Sequence, residues 1–275
     1  MKWFKRDWTE IRPNTMLGRV LRVPLHLLPK RKPMKILSGP CRGMKWTLES
    51  NLYSFWFGTF EFKKQAALSK YVHKGMTIYD IGANAGFYTL LFSKLVGNKG
   101  HVYSFEPFPE NSARLLRHIG LNDLTNITVI NAAIGAADKL GSFQIAANNF
   151  SGHLSSNNHG LLVVPTLSID ALIEKGYPSP DIIKMDIEGD EVLALEGARN
   201  TLLEGKAIWF IALHNDEARK VCDEALKKAR YQMFLLDGTC LDDISGGIDE
   251  IYALPSDSMP RETEKNGMMP VQRSI

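Results

Sequence analysis

A chain of 275 residues is about 1.8 times the usual ~150-residue domain, so one large domain with an appendage is expected rather than three. Hydrophobic residues at 44% and charged residues at 23% exclude a wholly disordered or collagen-like chain, and no apolar run approaches the roughly 18 residues of a membrane span. The formal charge of +3 hides an asymmetry: residues 1–75 carry 16 Lys and Arg against 4 Asp and Glu, whereas residues 76–275 carry 17 against 26.

The first residues, Met1-Lys-Trp-Phe-Lys-Arg-Asp7, have no apolar h-region and no small-residue cleavage site, so no secretory signal is expected. Cys41, Cys222 and Cys240 are odd in number and far apart, which argues for a reduced, cytoplasmic protein rather than a disulfide framework or zinc ribbon. Basic residues are densest over Arg19–Lys35, interleaved with leucine and valine. This stretch reads as a solvated basic arm. Peripheral contact with an anionic membrane is the alternative, weakened by the helix breakers Pro24, Pro29 and Pro33. No nucleic-acid motif follows it, so no nucleic-acid partner is expected. Residues 1–74 are expected to form a basic extension packed on the core, its aromatic run Tyr53–Phe57 and Phe60 packing rather than offering a platform for a sugar ring. Residues 255–275, with Pro255, Pro260 and Pro270, read as a loose tail.

Residues 75–254 alternate short apolar runs with helical stretches, the pattern of a doubly wound α/β domain. In chain order we expect strand 76–81, helix 85–96, strand 101–106, helix 110–120, strand 127–131, a short strand near 142–146 and a helix through Glu174 capped by Ser168. Then come strand 182–186, helix 190–203, strand 207–213, helix 216–229, and strands 232–236 and 248–254. The last two are too close for a parallel crossover, so the final strand is expected to run antiparallel.

The segment Tyr79-Asp-Ile-Gly-Ala-Asn-Ala-Gly-Phe-Tyr88 closes the first of these strands and opens a helix. Gly82 and Gly86 permit sharp turns and close approach, but Asn84 stands where a dinucleotide loop has its middle glycine. That substitution suits a nucleoside with an amino-acid tail better than a pyrophosphate. Asp80 would hold the ammonium, and the amides at the helix start would meet the carboxylate. Glu106, twenty residues after Gly86, ends the next strand and would accept bonds from ribose hydroxyls. Asn131 and Ala132, after the third strand, would approach the adenine edge.

Three blocks in order, Asp80-Ile-Gly-Ala-Asn-Ala-Gly-Phe-Tyr-Thr-Leu90, Phe105-Glu-Pro-Phe-Pro-Glu-Asn111 and Ile183-Lys-Met-Asp-Ile-Glu-Gly-Asp-Glu191, resemble the FkbM family of S-adenosylmethionine-dependent methyltransferases over roughly residues 75–236. The resemblance implies a Rossmann-like methyltransferase fold: a mostly parallel seven-stranded sheet with an antiparallel last strand and helices on both faces. It also implies O-methylation of a hydroxyl on a saccharide, glycolipid or natural product. The cofactor would be S-adenosylmethionine, with Asp80, Gly82, Ala83, Asn84, Gly86, Phe87, Glu106, Pro107, Asn131 and Ala132 as its expected shell.

Asp186 and Glu188, after the fourth long strand, and His214, after the fifth, are the expected catalytic residues. Asp190 and Glu191 read instead as charges favourable at a helix N-terminus. A sugar hydroxyl needs a base to take its proton, and imidazole titrates in the right range. Many members of the resembled family carry an acid two places before this histidine; here Ala212 stands there, which argues against a mechanism that requires a carboxylate at that position. Asp186, His214, Asn215 and Asp216 form an alternative set for one Mg²⁺, although no metal is assigned. The polar stretch Asn148–Gly160 has the composition of a free surface loop, and its place after the third strand would also let it close over the acceptor. A nicotinamide-dependent oxidoreductase and a non-catalytic cofactor-binding protein are the competing readings; Asn84 and an antiparallel last strand argue against the first.

Overall fold

A computed structural model describes residues 29–49, 53–145, 152–154, 162–244 and 246–256. Most of the basic arm, most of the expected acceptor loop and nearly all of the tail lie outside these residues. Before the α/β domain, strands β1 (Met34–Lys35) and β2 (Lys45–Trp46) form a hairpin, followed by helices α1 (Tyr53–Phe57) and α2 (Phe62–Tyr71). Of their aromatic residues Trp46 and Phe55 are buried, while Phe62 is exposed. Trp46 is fully buried and stacks on His118 at 3.7 Å between centroids, while Phe55 lies 5.0 Å from Phe87.

The domain then runs β3 (Thr77–Ile81), α3 (Phe87–Val96), β4 (His101–Phe105), α4 (Pro109–Leu121), β5 (Ile127–Ile130), β6 (Ala133–Ile134), β7 (Lys139–Ile145), β8 (Gly152–Leu154) and β9 (Leu162–Leu167). After these come α5 (Ile169–Glu174), β10 (Ile182–Met185), α6 (Glu191–Glu196), α7 (Arg199–Leu203), β11 (Ile208–Ala212), α8 (Asp216–Lys228), β12 (Tyr231–Phe234), β13 (Cys240–Leu241) and β14 (Glu250–Pro255). Local chemistry accounts for several boundaries. Ser168 accepts the Ala171 amide and Asn215 the Ala218 amide, each capping the helix that follows. Helix α8 buries Ala218, Cys222 and Leu226, one face at four-residue spacing, with Asp216 and Glu217 in its first turn and Lys227 and Lys228 in its last.

The main sheet has the order β13-β12-β14-β11-β10-β3-β4-β5. Strands β5, β4, β3, β10 and β11 are parallel, and β14 inserts antiparallel between β11 and β12. The reversed last strand follows from the short connection before it. The seven expected strands are all present, and the two-residue β13 adds an eighth at the edge. Two apolar cores cover the two faces of the sheet.

One expectation needs correction. The single helix over 190–203 is broken into α6 and α7. The reason lies at Gly197, where an added Cβ would stand 2.0 Å from the Gly135 carbonyl oxygen. The close backbone approach there ends the first helix. The expected additional strand near 142–146 is present as β7, and it belongs to a second, four-stranded sheet of order β6-β9-β7-β8, set beside the carboxyl ends of the main strands. None of the helices among the described residues is long and apolar enough to cross a membrane.

Candidate active site

Strands β10 and β3 are almost wholly buried, yet each carries one charge, Lys184 and Asp80, and the parallel register sets the two side by side. Their side chains are 3% and 0% exposed and 3.4 Å apart, so each desolvated charge has its counter-ion. The Lys184 ammonium also donates to the carbonyls of Gly82 at 2.9 Å and Ile81 at 3.3 Å. Asp80 accepts the Thr89 hydroxyl at 2.6 Å. This buried pair braces the ends of the two central strands.

Above those ends lies a cavity of about 350 Å³. Its walls come from five strand tips of the main sheet, from the second sheet through Phe143 and Gly152, and from the N-terminal segment through Trp46, Phe55, Phe60 and Glu61. Seven of the expected cofactor residues line it: Gly82, Ala83, Asn84, Phe87, Glu106, Pro107 and Ala132. All three expected catalytic residues, Asp186, Glu188 and His214, line it as well. Asp80, Gly86 and Asn131 do not. Asp80 is fully buried behind Lys184, so it holds that ammonium rather than a ligand's. Asn131 is exposed and off the cavity wall.

The two glycines of the loop serve packing. A Cβ at Gly82 would fall 1.9 Å from the Asp186 carbonyl oxygen, because the turns after β3 and β10 cross in contact. At Gly86 it would meet a Leu115 methyl at 2.3 Å. Both have positive φ, +74° and +93°. Asn84, at φ 51°, adopts the left-handed conformation that asparagine tolerates better than most side chains. The amides of the loop before the helix are engaged within the protein: Gly82 and Ala83 donate to the Phe105 carbonyl, Asn84 to Glu106, Ala85 to the Asn84 side chain and Gly86 to Ala83.

Glu106 is 5% exposed. Its carboxylate accepts the amide of Asn84 at 2.7 Å and that of Phe108 at 3.0 Å. Burial pushes its pKa up to about 7, even though these amides, Asn111 and Lys184 favour the charged form.

At the other end of the cavity, His214 Nδ1 contacts Glu191 Oε1 at 2.8 Å, while Nε2 lies 3.6 Å from Asp186 and 3.9 Å from Glu188. Glu191 is fully buried and also accepts the Gly189 amide. The hydrogen bond to Glu191 raises the imidazole pKa; burial opposes it, and the charges of Glu191, Asp186 and Glu188 reinforce it. Burial of Asp186 opposes its charge, but Lys64, Lys184 and His214 hold its carboxyl well below the usual range. Asp190 turns away from the helix end to accept the Leu154 amide of β8 at 2.6 Å, and burial raises its pKa to about 6.

Sequence reasoning missed three residues of this site. Glu191 looked like a helix-terminal charge; only the fold brings it to His214. Lys184 lines the cavity and was visible as a lone charge inside an apolar strand. Lys64, which contacts Asp186 at 3.2 Å, lies in a stretch with no motif at all. The metal alternative does not assemble, because Asn215 caps α8 and Asp216 pairs with Arg219 at 2.8 Å. Among the described residues no cluster of three or more His, Cys, Asp or Glu has metal-holding geometry.

A parallel sheet with one inserted antiparallel strand, and a polar cavity at its carboxyl ends holding a buried strand-tip carboxylate, defines the class: a Rossmann-like protein of the methyltransferase type. Residues 80–233 match the family model described as the methyltransferase FkbM domain, and the chain belongs to that family. It is 31% identical over 128 residues to the hexuronic acid methyltransferase AglP of Haloferax volcanii, a match covering 46% of this chain and 51% of the relative. A ribosomal protein L11 methyltransferase of Clostridium botulinum is 27% identical over 135 residues, covering 46% and 39%. The match thus spans about half or less of each curated relative. Among solved structures, an FkbM methyltransferase from Methylobacillus flagellatus aligns with a TM-score of 0.47 at 19% identity, over 74% of this chain and 53% of that one.

Proposed function

We propose that the chain is an S-adenosylmethionine-dependent O-methyltransferase acting on a hydroxyl of a saccharide, glycolipid or related natural product. The observation that carries this reading is the pairing, in one cavity, of a buried carboxylate at the tip of β4 with a carboxylate-oriented imidazole after β11. The cavity fits the cofactor in three respects. Its volume of about 350 Å³ lies within the range of small-molecule sites. Glu106 stands where a ribose would be gripped, with Pro107, Ala132 and Phe87 as apolar walls. Five wall carboxylates (Glu61, Glu106, Asp186, Glu188 and Asp190) outnumber Lys184 and His214, which suits a cationic sulfonium.

When bound, the cofactor supplies an already activated methyl group. The chain's own residues then orient the acceptor and remove its proton. Glu191 accepts the Nδ1 proton of His214 and leaves the Nε2 lone pair facing Asp186, Glu188 and the cavity, where it takes a proton from the acceptor hydroxyl. Ionised Asp186 stabilises the imidazolium that forms and helps aim the hydroxyl. Holding the reacting atoms in line accounts for most of the acceleration. Similarity to a hexuronic acid methyltransferase supports a saccharide acceptor.

The proposal places the protein in the cytoplasm, in keeping with three free cysteines, and assigns it no nucleic-acid partner. Calorimetric titration with S-adenosylhomocysteine and NADH tests the cofactor: binding of the first alone is expected, and binding of NADH alone overturns the reading. Incubation with radiolabelled methyl donor and fractionated cell extract tests the acceptor. Label is expected in saccharide or glycolipid fractions, and label confined to protein or RNA overturns it. Activity is expected to survive EDTA; loss restored by Mg²⁺ would reinstate the metal mechanism.

A further inference from the structure

Lys64 is 2% exposed, deep enough that an unpaired ammonium would be costly. One carboxylate would suffice to neutralise it. It has three: Glu61 at 3.2 Å, Asp186 at 3.2 Å and Glu250. The Tyr88 ring lies 5.2 Å away, and the Tyr88 hydroxyl donates to Glu61 at 2.7 Å. The residues come from remote parts of the chain. Lys64 is on α2 and Glu250 on β14, both outside the segment 80–233 that matches the family. Glu250 is the cross-strand partner of Ala212, two residues before His214. Asp186 bridges the groups, with Oδ2 on the Lys64 ammonium and Oδ1 3.6 Å from His214 Nε2.

We infer that Lys64 is a positioning residue: its ammonium pins the Asp186 carboxylate beside His214 and thereby sets how readily the imidazole gives up its proton. This rests on the reading of His214 as the base. The charges nearest that imidazole are Glu191 from α6 and Asp186 and Glu188 from the turn after β10; Asp190 at the cap of α6 and Lys184 of β10 line the same cavity. Behind them stand Lys64 and Glu61 from α2 and its cap, and Glu250 from β14. The three carboxylates closest to the ring, Glu191, Asp186 and Glu188, favour the imidazolium. Lys64 counters them by engaging Asp186, so the ring reaches its neutral, proton-accepting form at a lower pH than it otherwise would.

The test is a nuclear magnetic resonance titration of His214, its signal assigned by its loss in His214→Asn, in cofactor-free wild-type, Lys64→Met and Lys64→Arg proteins. Lys64→Met is expected to raise the imidazole pKa by about half a unit or more, and Lys64→Arg to return it to near wild type. An unchanged or lowered value in a folded Lys64→Met protein overturns the inference, as does failure of arginine to rescue. Should Lys64→Met not fold, Glu250→Gln retains the ammonium and frees it toward Asp186. It is expected to lower the imidazole pKa, and no shift or a rise refutes the role. S-adenosylhomocysteine affinity of the same samples reports separately on the cofactor reading, so either idea can fail while the other stands.

Discussion

The two ends of the cavity are built by different means. At the end formed by β3, β4 and the glycine loop, the contacts involve backbone groups: Glu106 receives the amides of Asn84 and Phe108, and Gly82 meets the carbonyl of Asp186. At the end formed by the turns after β10 and β11, ionic side chains meet one another: Lys64 with Asp186, and Glu191 with His214. Backbone contacts fix shape, and a substitution there strains or unfolds the loop. Side-chain charges fix proton affinity, and a substitution there leaves the fold standing while altering chemistry.

The sharpest way to break this contrast is Gly82→Ala. With φ at +74° and a Cβ 1.9 Å from a carbonyl oxygen, it is expected to cost about 3 kcal/mol or more of stability, or to prevent folding. Urea denaturation of the variant measures this; wild-type stability would show that the crossing turns are not rigid. Next, His214→Ala should lower turnover by roughly 10²–10⁴-fold while leaving S-adenosylhomocysteine affinity within a few-fold. Unchanged turnover, measured with the methyl acceptor in excess, would remove His214 as the base.

Glu106→Ala belongs to the other end and should show the opposite split. Loss of charge-assisted bonds to ribose hydroxyls, about 1.5–3 kcal/mol, weakens cofactor binding at least about tenfold with a smaller effect on saturated turnover. Equal affinities by calorimetry would detach Glu106 from the ribose. The smallest expected change is in pH dependence. Because Glu191 raises the pKa of His214, activity should climb as pH rises through a value above the ordinary imidazole range. Glu191→Gln removes that contribution, lowers the pKa and moves the acid limb of kcat/KM to lower pH, by about half a unit to one unit. A limb that stays in place would show that another group is titrating.

Much of the cavity was legible because its wall is read in sequence-local pieces. A strand ending in Asp80-Ile-Gly, and Glu106 followed by Pro107, place their residues at strand tips through periodicity alone. What escaped was orientation. Asp80 reads as a ligand group, but parallel register turns it onto Lys184. Glu191 reads as a helix-end charge, but the seating of α6 against α8 brings it to His214.

Composition, apolar periodicity and the three motif blocks by themselves determined an α/β domain, the order of its main strands and helices, the reversed final strand and the strand tips that form the cavity. These depend on spacing along the chain, which local propensity and connection length control. Tertiary structure alone decided the second sheet, the broken helix, and which charges meet: Lys184 with Asp80, Glu191 with His214, and Lys64 with three carboxylates. A charge in a sequence has no partner until packing removes the water around it, and the partner is whatever opposite charge the fold then leaves within reach.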